Sequence, residues 1–301
     1  MKYYVGIDLG GTNVRVCKIN EDGKILQDVI SPSYGMEGPD RIIDNIIDLL
    51  KKFDLSDVEG IGVGIPGPVD AVTNTITMAT NIPGCAGYPF ADKIAEATGK
   101  KVVLDNDANV AGLAEAIFGA GKGYPVVYYI THSTGIGGGL IVNGKVVQGH
   151  KGYGGEIANV IVDPSAKRFE RYNHLNKGAV ESLASGTAIG LIGKEKLGDK
   201  VNSGRDVFDL ASKGDPKAIE IIDKASKDIA TMMSAISAIV APDIFVIGGG
   251  CSHSSDVYFD RIRSYFKTMC HEGMKEVPIV KAKLEEPGVL GAAMTVKSFE
   301  K

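Results

Sequence analysis

The sequence lacks the features that would place the protein in a membrane, on nucleic acid or outside the cell. No apolar run approaches the roughly 20 residues that span a bilayer. A formal net charge of −4 over 301 residues provides no basic surface for a nucleic acid or an anionic membrane. No basic region or cleavable apolar stretch precedes the strand-like residues 3–7. We therefore expect a cytoplasmic protein with neither a nucleic-acid nor a membrane partner.

Cysteine is scarce and forms no pattern. Cys17, Cys85, Cys251 and Cys270 make no CxxC pair and no Cys/His spacing. In a cytoplasmic chain this distribution is typical of reduced side chains rather than of a disulfide framework or a zinc site.

The two common nucleotide-binding signatures are also missing. No segment ends in the Gly-Lys-Ser/Thr of a P-loop. Gly62, Gly64 and Gly67 have the spacing of a dinucleotide-binding fingerprint, but Pro66 and Pro68 prevent the helix that must begin inside it. Any nucleotide site is therefore of another type.

Glycine is abundant, with 39 residues that cluster in turns. Residues 3–30 follow the plan strand, glycine-rich turn, strand, turn, strand, and residues 126–148 repeat it. Asp22-Gly23 and Asn143-Gly144 predict type I′ hairpins, because both central residues of that turn need positive φ. The repeat indicates two related halves, and two unrelated hairpins are the alternative. Helical patterns at 39–53, 90–98, 108–118, 216–240, 255–270 and 288–299 alternate with the strands and predict α/β layers.

Three glycine-rich loops could hold phosphate groups, at residues 8–12, 134–139 and 248–250. Their backbone N–H groups and the hydroxyls of Thr12 and Thr134 suit an anion. Asp8, at the end of its strand, could hold a hydrated Mg²⁺. Each loop alone could serve only to reverse the chain, but three loops within a duplicated plan favour phosphate binding.

A polar cluster follows the apolar residues 102–104, at the end of a strand and just before a helix. It contains Asp105, Asn106 and Asp107, where α/β sheets present their active residues. Capping of the helix requires only one such residue, so the cluster favours function, although capping by Asn106 or Asp107 is the alternative. Phosphoryl transfer to an alcohol requires a base, and Asp107 fits that role.

Further carboxylates and amides occur on loops, where they could read vicinal sugar hydroxyls. They are Glu156, Asn159 and Glu181. Taken singly, Glu156 and Glu181 would be surface charges.

Together these motifs closely resemble those of the ROK family, particularly its bacterial glucokinase-like branch. The matching stretches lie at 6–12, 62–70, 80–84, 106–109, 134–139, 155–156 and 248–250, in the order of the family. The resemblance implies a two-domain actin-like ATPase (ribonuclease H-like) fold that closes over a cleft. Its small domain is residues 1–118 completed by the C-terminal helix 289–301, and its large domain is residues 119–288.

The resemblance also implies the activity: ATP-dependent phosphorylation of a hexose, usually at the 6-hydroxyl, with Mg²⁺ and commonly as a homodimer. It makes Asp107 the base. The implied sugar contacts are Asn81, Asn106, Asp107, Glu156, Asn159 and Glu181. The residues implied for phosphate, metal or nucleoside are Asp8, Gly10, Gly11, Thr12, Thr134, Gly135, Gly249 and Gly250.

Two departures from the family pattern bear on function. Most members bind a structural zinc through a His and a cysteine-rich stretch, but Asn159 occupies the His position and residues 160–180 contain no cysteine. We therefore expect no zinc and an altered sugar preference. Ser133 stands where glycine is usual. The alternatives are a kinase for N-acetylmannosamine, fructose or a β-glucoside, a non-catalytic sugar-binding regulator, and a transcriptional repressor, which the lack of a helix-turn-helix disfavours.

Overall fold

The computed structural model describes residues 1–79 and 82–298, and the chain divides into two compact units. The first unit comprises Met1–Tyr129, Gly139–Gly155 and Lys283–Lys301, and the second comprises Ile130–Gly138 and Glu156–Ala282. The domains expected from the sequence assign residues 119–129, 139–155 and 283–288 differently. The division expected from the sequence remains a prediction.

Strands and helices alternate along most of the chain. The strands are β1 (Tyr3–Leu9), β2 (Asn13–Asn20), β3 (Ile25–Pro32), β4 (Val58–Ile65), β5 (Val69–Asp70), β6 (Thr75–Ile76), β7 (Val102–Asn106), β8 (Val126–His132), β9 (Ile136–Val142), β10 (Lys145–Val146), β11 (Ile244–Gly248) and β12 (Ile279–Lys281). The helices are α1 (Pro39–Leu50), α2 (Phe90–Thr98), α3 (Asp107–Ile117), α4 (Val180–Ala184), α5 (Gly186–Leu197), α6 (Gly204–Ser212), α7 (Pro216–Val240), α8 (Ser255–Met269) and α9 (Pro287–Ser298). Phe299, the last residue of the predicted closing helix, lies outside the described residues.

Two five-stranded sheets share one plan. The first has the order β3-β2-β1-β4-β7 and the second has the order β10-β9-β8-β11-β12. In the first sheet β1, β2 and β3 are antiparallel neighbours, and β4 and β7 run parallel to β1. In the second sheet β9 and β10 are antiparallel, and β11 and β12 are parallel. The duplicated plan predicted from the sequence is therefore present.

Local sequence signals set the helix ends. Helix α2 ends where Gly99 adopts a left-handed φ of 68°. Helix α7 begins at Pro216, and the side chain of Asp215 accepts hydrogen bonds from the backbone N–H groups of Lys217 and Ala218 at 3.0 and 3.1 Å. Both ends lie where the sequence predicted them.

Both predicted hairpins are present, but only one of them has the type I′ turn. Asn143 and Gly144 have φ values of 50° and 72°, as a type I′ turn requires. Between β2 and β3, however, only Gly23 has positive φ. The side chain of Asn20 accepts hydrogen bonds from the N–H groups of Asp22 and Lys24. This side chain closes a wider loop in place of the two-residue turn.

The predicted glycine-rich loop at 134–139 is shorter than expected, because β9 already begins at Ile136. A Cβ added at Gly139 would lie 3.0 Å from the side-chain oxygen of Asn109 and 3.2 Å from the carbonyl oxygen of Ala108. Gly139 therefore lets this strand pack closely on α3. Only residues 133–135 form the turn.

Helix α9 completes the first unit by packing on β1, β4 and α3. At the points of closest approach, glycines leave no room for a side chain between the elements. A Cβ at Gly6 would collide with the carbonyl oxygen of Val289, and one at Gly62 with that of Ala292. On the opposite side, a Cβ at Gly291 would collide with the carbonyl oxygen of Val110 in α3. The helix is thus held in backbone contact on two sides.

A buried carboxylate secures the segment that leads into α9. Glu115, at the end of α3, is fully buried and accepts hydrogen bonds from three backbone N–H groups. They belong to Ala120 at 2.7 Å, Lys283 at 2.9 Å and Leu284 at 2.8 Å. Hydrogen bonds of this kind satisfy a buried charge without a basic partner.

Among the described residues, no helix is long and apolar enough to cross a membrane.

Gly62→Ala should destabilise the protein, because the new methyl group meets the backbone of α9 rather than a movable side chain. We expect the free energy of unfolding in urea to fall by about 1–3 kcal/mol, the usual cost of overpacking. Gly273→Ala is the matched control, since a Cβ there meets nothing within 4 Å. It should change stability by less than about 0.5 kcal/mol. Equal stability of the two variants would contradict the packing described for α9.

Candidate active site

In the first unit, the turn after β1 forms a small concave surface. The N–H of Gly10 donates to the carbonyl of Asn13 at 2.8 Å, and the carbonyl of Thr12 accepts from Ser33 at 2.8 Å. These bonds fix the turn around a cavity of about 420 Å³. Its lining residues are Asp8, Gly10, Gly11, Thr12, Asn13, Arg15 and Ile30. The loop predicted from the sequence is therefore a formed cavity.

Asp8 lies near two other carboxylates, those of Asp107 and Glu286. Burial, followed by the nearby charges of Asp107 and Glu286, raises the pKa of Asp8 to about 6, while Arg15 opposes the shift. The side chain of Arg15 is itself engaged by Asp28 and Glu286. Carboxylates that repel one another in this way suit a hard divalent cation, because oxygen ligands are the ones that Mg²⁺ prefers.

Gly288 in α9 leaves room for the Asp8 carboxylate. A Cβ at Gly288 would collide with the oxygens of Asp8. The start of α9 thus forms one wall of the Asp8 site, in the same unit as the glycine turn.

Asn106 caps helix α3, which decides between the capping residues that the sequence left open. Its side-chain oxygen accepts from the N–H groups of Ala108 at 2.9 Å and Asn109 at 3.3 Å, and its amide donates to the carbonyl of Gly67 at 3.1 Å. Asp107 is therefore not needed as the cap. Asn106 was expected to contact sugar, yet most of its hydrogen-bonding capacity is used within the protein.

Asp107 is the first residue of α3, and one of its oxygens accepts from the N–H of Ala108 at 2.8 Å. The side chain reaches solvent. Protein atoms nevertheless surround it densely, and this desolvation raises its pKa above the ordinary value for aspartate. Asp107 and Asp8 belong to the same unit, and the charge of Asp107 raises the pKa of Asp8.

Asp105 supports this turn from below. It is buried and accepts hydrogen bonds from the N–H of Asn106 at 2.7 Å, the amide of Asn109 at 2.8 Å and the amide of Gln148 at 3.0 Å. Burial raises its pKa to about 6. Gln148 was not predicted as part of the site, and it carried no signal because it follows a hairpin far along the sequence.

In the second unit, the turn after β8 is tied to α4. The Glu181 carboxylate accepts from the N–H of Ile136 at 2.8 Å. A Cβ at Gly135 would lie 2.6 Å from the same carboxylate, so a residue with a side chain would clash with Glu181 at this position. Ser133 has no left-handed φ, so a side chain there causes no backbone strain. Glu181, expected as a sugar contact, thus also fixes the Thr134–Gly135 turn.

Beside this turn lies a cavity of about 510 Å³ in the second unit. It is lined by Ser133, Thr134, Gly186, Thr187, Gly190, Leu191, Lys194, Val201, Asn202, Ser203, Gly204, Arg205, Gly250 and Cys251. The first residues of both α5 and α6 belong to this wall. The first two N–H groups of α5 donate to the carbonyls of Ser133 and Thr134, so this helix contributes the partial positive charge of its N-terminus, which favours an anionic ligand. Gly249 has φ of 81° and passes close to the backbone of His132, whereas Gly250 faces the cavity.

His132 holds the base of this turn and was not identified from the sequence. It is buried, with one ring nitrogen 2.8 Å from the carbonyl of Ala184 and the other 3.1 Å from the hydroxyl of Tyr258. The carbonyl requires a donor, so the second nitrogen accepts from Tyr258. Burial lowers the pKa of His132 to about 4. The only sequence signal was a polar residue at the end of an apolar strand.

The remaining predicted sugar residues are exposed in the second unit. Glu156 precedes a short 3₁₀ turn, Ile157–Asn159, and Asn159 is its last residue. The side-chain oxygen of Asn159 accepts from the N–H of Asn176 at 2.7 Å. Its amide group is left to donate. Asn81 lies outside the described residues.

No group of three or more His, Cys, Asp or Glu side chains suited to a metal occurs in residues 1–79 and 82–298. The expected absence of zinc remains a prediction.

The two sheets of identical order define the actin-like ATPase fold that the resemblance implied. The chain belongs to the ROK family, whose family model matches residues 4–298. A glucokinase of Thermotoga maritima is 32% identical over 310 residues, covering 97% of this chain and 96% of the relative. An N-acetylmannosamine kinase of Yersinia pestis is 30% identical over 298 residues and covers 98% of both chains.

Solved structures give the same grouping. A ROK hexokinase from Thermus thermophilus superposes with a TM-score of 0.84 at 31% identity, covering 97% of each chain. A ROK family glucokinase from Streptomyces griseus, in complex with glucose and AMPPNP, superposes with a TM-score of 0.79 at 28% identity, covering 97% of this chain and 98% of that one.

His132 should make stability depend on pH. Its folded-state pKa is about 4, against 6.5 in the unfolded chain. Only the unfolded state therefore takes up this proton as the pH falls from about 6.5 to 4, and stability is lost across that window. When the pH falls from 7.5 to 5, the contribution of His132 should lower the free energy of unfolding by about 2 kcal/mol. The measurement is urea unfolding of the wild type and His132→Gln at both pH values.

The variant should show a pH dependence smaller by that amount. Asp8 and Asp105 shift the other way but are present in both proteins, so their effects cancel. Exposed His271→Gln should behave as wild type. Identical pH dependence in the wild type and His132→Gln would contradict the neutral, buried state of His132.

Proposed function

We propose that the protein transfers the γ-phosphoryl group of ATP to a hexose, at the 6-hydroxyl. One observation carries this proposal. Because Asn106 caps α3, Asp107 is not needed for that role. The charge of Asp107 raises the pKa of Asp8, and Asp8 lines the cavity at the glycine turn after β1. Phosphoryl transfer to an alcohol requires this combination of a base, a phosphate cradle and a site for a cation.

Asp107 acts as the base. It takes the proton of the sugar hydroxyl as the oxygen attacks phosphorus, and the ADP oxygen leaves with the electron pair of the broken bond. A raised pKa brings the carboxylate closer to the working pH, where a general base is most effective. Catalysis of this kind contributes about 10²- to 10⁴-fold.

The two glycine turns and the larger cavity bind the nucleotide. Gly10 shapes the first turn through its bond to Asn13. Gly11 and Thr12 in the first unit, and Thr134 and Gly135 in the second, provide N–H groups and hydroxyls for the phosphates. Gly249 and Gly250 adjoin the nucleoside. Asp8 would hold Mg²⁺ through water, and the ion would supply positive charge to neutralise the phosphates. Arg15, held by Asp28 and Glu286, keeps the carboxylates around Asp8 in place.

Asn106, Glu156, Asn159 and Glu181 contact the sugar, as does Asn81. Because Asn176 uses one lone pair of the Asn159 oxygen, the amide group and one remaining lone pair of Asn159 are available to the sugar. Glucose is the first candidate, supported by the glucokinase relatives. N-acetylmannosamine is the second, supported by the kinase of that name. Fructose, a β-glucoside and a non-catalytic sugar-binding role are further alternatives. Cytoplasmic location and a homodimer also remain predictions.

The direct test is release of ADP from Mg·ATP by the purified protein in a coupled assay. A panel of glucose, mannose, fructose, N-acetylmannosamine and β-glucosides should contain at least one sugar that stimulates ADP release. Identification of the product as a sugar 6-phosphate would establish the position. Sugar binding without turnover across the panel would favour the non-catalytic regulator.

Asp107→Asn should abolish turnover while the affinity for sugar stays within about threefold. The amide keeps the shape of the carboxylate but cannot accept a proton, so kcat should fall by about 10²-fold or more. Sugar binding is measured by calorimetry and kcat by ADP release. Asp92→Asn, on the exposed face of α2 in the same unit, is the matched control and should retain wild-type kcat. Near-normal turnover of Asp107→Asn would remove this residue from the catalytic role.

A further inference from the structure

Tyr172 connects a loop segment to the helix that lines the larger cavity. It lies in a 3₁₀ turn, Glu170–Tyr172, and is only 3% exposed. Its hydroxyl lies 2.9 Å from the hydroxyl of Ser185. The ring fills the interior, and its hydroxyl interacts with two side chains at the start of α5, Ser185 and Thr187. A buried tyrosine hydroxyl with defined partners helps to fix the positions of those partners.

Ser185 is the N-cap of α5. It is fully buried, and its side-chain oxygen accepts from the N–H of Ala188 at 3.2 Å. A hydroxyl has two lone pairs and one proton, so Ser185 can cap the helix and bond to Tyr172 at once. Tyr172 thereby sets the orientation of the capping group.

The first turn of α5 is the part of the cavity wall that this cap controls. Gly186 and Thr187 line the cavity of about 510 Å³. The N–H of Gly186 donates to the carbonyl of Ser133 at 2.8 Å, and that of Thr187 donates to the carbonyl of Thr134 at 3.3 Å. A shift of this turn therefore moves both the helix N-terminus and the adjoining phosphate loop.

The segment around Tyr172 is itself firmly tied. Asn159 accepts from the N–H of Asn176, Arg168 donates to the carbonyl of Leu175 at 2.8 Å, and the N–H of Val180 donates to the carbonyl of Val160 at 2.9 Å. Tyr172 is thus fixed on its own side, as a residue must be to position another.

We propose that Tyr172 is a positioning residue for nucleotide binding, and that it acts through Ser185 on the first turn of α5. This inference rests on the proposed function, because it assumes that the cavity of the second unit takes the nucleotide. Tyr172 is not itself among the residues that line this cavity. Its hydroxyl holds Ser185 and Thr187 in the geometry in which the first turn of α5 supports the Ser133–Thr134 turn.

The test is Tyr172→Phe, which removes the hydroxyl and keeps the buried ring. Loss of one hydrogen bond that orients the site should raise the Kd for ADP and the KM for ATP by about two- to tenfold. The kcat at saturating ATP and the KM for sugar should stay within about twofold. Tyr265→Phe is the matched control. It removes a tyrosine hydroxyl that donates to Asp223 at 2.6 Å, and neither residue lines the cavity. It should leave all four constants unchanged.

A double-mutant cycle separates positioning from general loosening. Ser185→Ala should also weaken ADP binding, and the double variant should lose less affinity than the sum of the two single free-energy changes, because both changes remove the contact between Tyr172 and Ser185. Thermal unfolding of each variant confirms the folded state.

Two failures are distinguishable. If the wild type neither binds ADP nor phosphorylates a sugar, the proposed function fails and this inference falls with it. If the wild type does both but Tyr172→Phe binds ADP with wild-type affinity, or weakens sugar and nucleotide equally, only the role of Tyr172 is overturned. Additive effects in the cycle would also overturn it.

Discussion

The backbone contact between α9 and its neighbours is the constraint on which the first unit depends. Gly6 and Gly62 remove side chains from β1 and β4, and Gly291 removes one from the helix where it meets α3. These glycines let three elements meet without intervening side chains, at the density typical of protein interiors. These elements also position the candidate site residues, since Asp8 is the penultimate residue of β1 and Asp107 is the first residue of α3. The distance between these two carboxylates is thus set by packing rather than by a bond between them.

Electrostatics in the two units differ in a way that suits their proposed tasks. The first unit concentrates carboxylates, and Arg15 is the only cation that lines its smaller cavity. The second unit offers helix N-termini, Lys194 and Arg205 around its larger cavity. The carboxylates of the first unit therefore attract cations and protons, while the helix N-termini, Lys194 and Arg205 of the second unit attract phosphate oxygens. Both kinds of surface are needed to hold a charged donor and to deprotonate a neutral alcohol.

Much of the architecture could be predicted from the sequence, because short-range chemistry determines it. Gly99 ends α2 and Asp215-Pro216 starts α7 through contacts within a few residues. The glycine turn after Asp8 and the position of Asp107 followed from the same kind of pattern. The start of β9 did not, because its glycines suggest a turn until α3 is known to pack against them.

The residues that hold the site in place were harder to find. Which of Asn106 and Asp107 caps α3 depends on side-chain geometry, and the sequence offers both. Glu181 bonds to Ile136 across a separation of 45 residues, and Tyr172 bonds to a serine in another element. His132 looks like the end of an ordinary strand. Such contacts exist only once the chain has folded, so no local pattern encodes them.

The discontinuity of the first unit has a consequence for synthesis. Its strands β1 and β4 are translated long before α9 at Pro287–Ser298. At about 5–20 residues per second, the glycine face of β4 waits roughly 10–45 seconds for the helix that covers it. The second unit is translated within that interval. The nascent chain therefore contains an apolar surface that only a segment distant in sequence covers, and closure of a long loop must precede completion of the first unit.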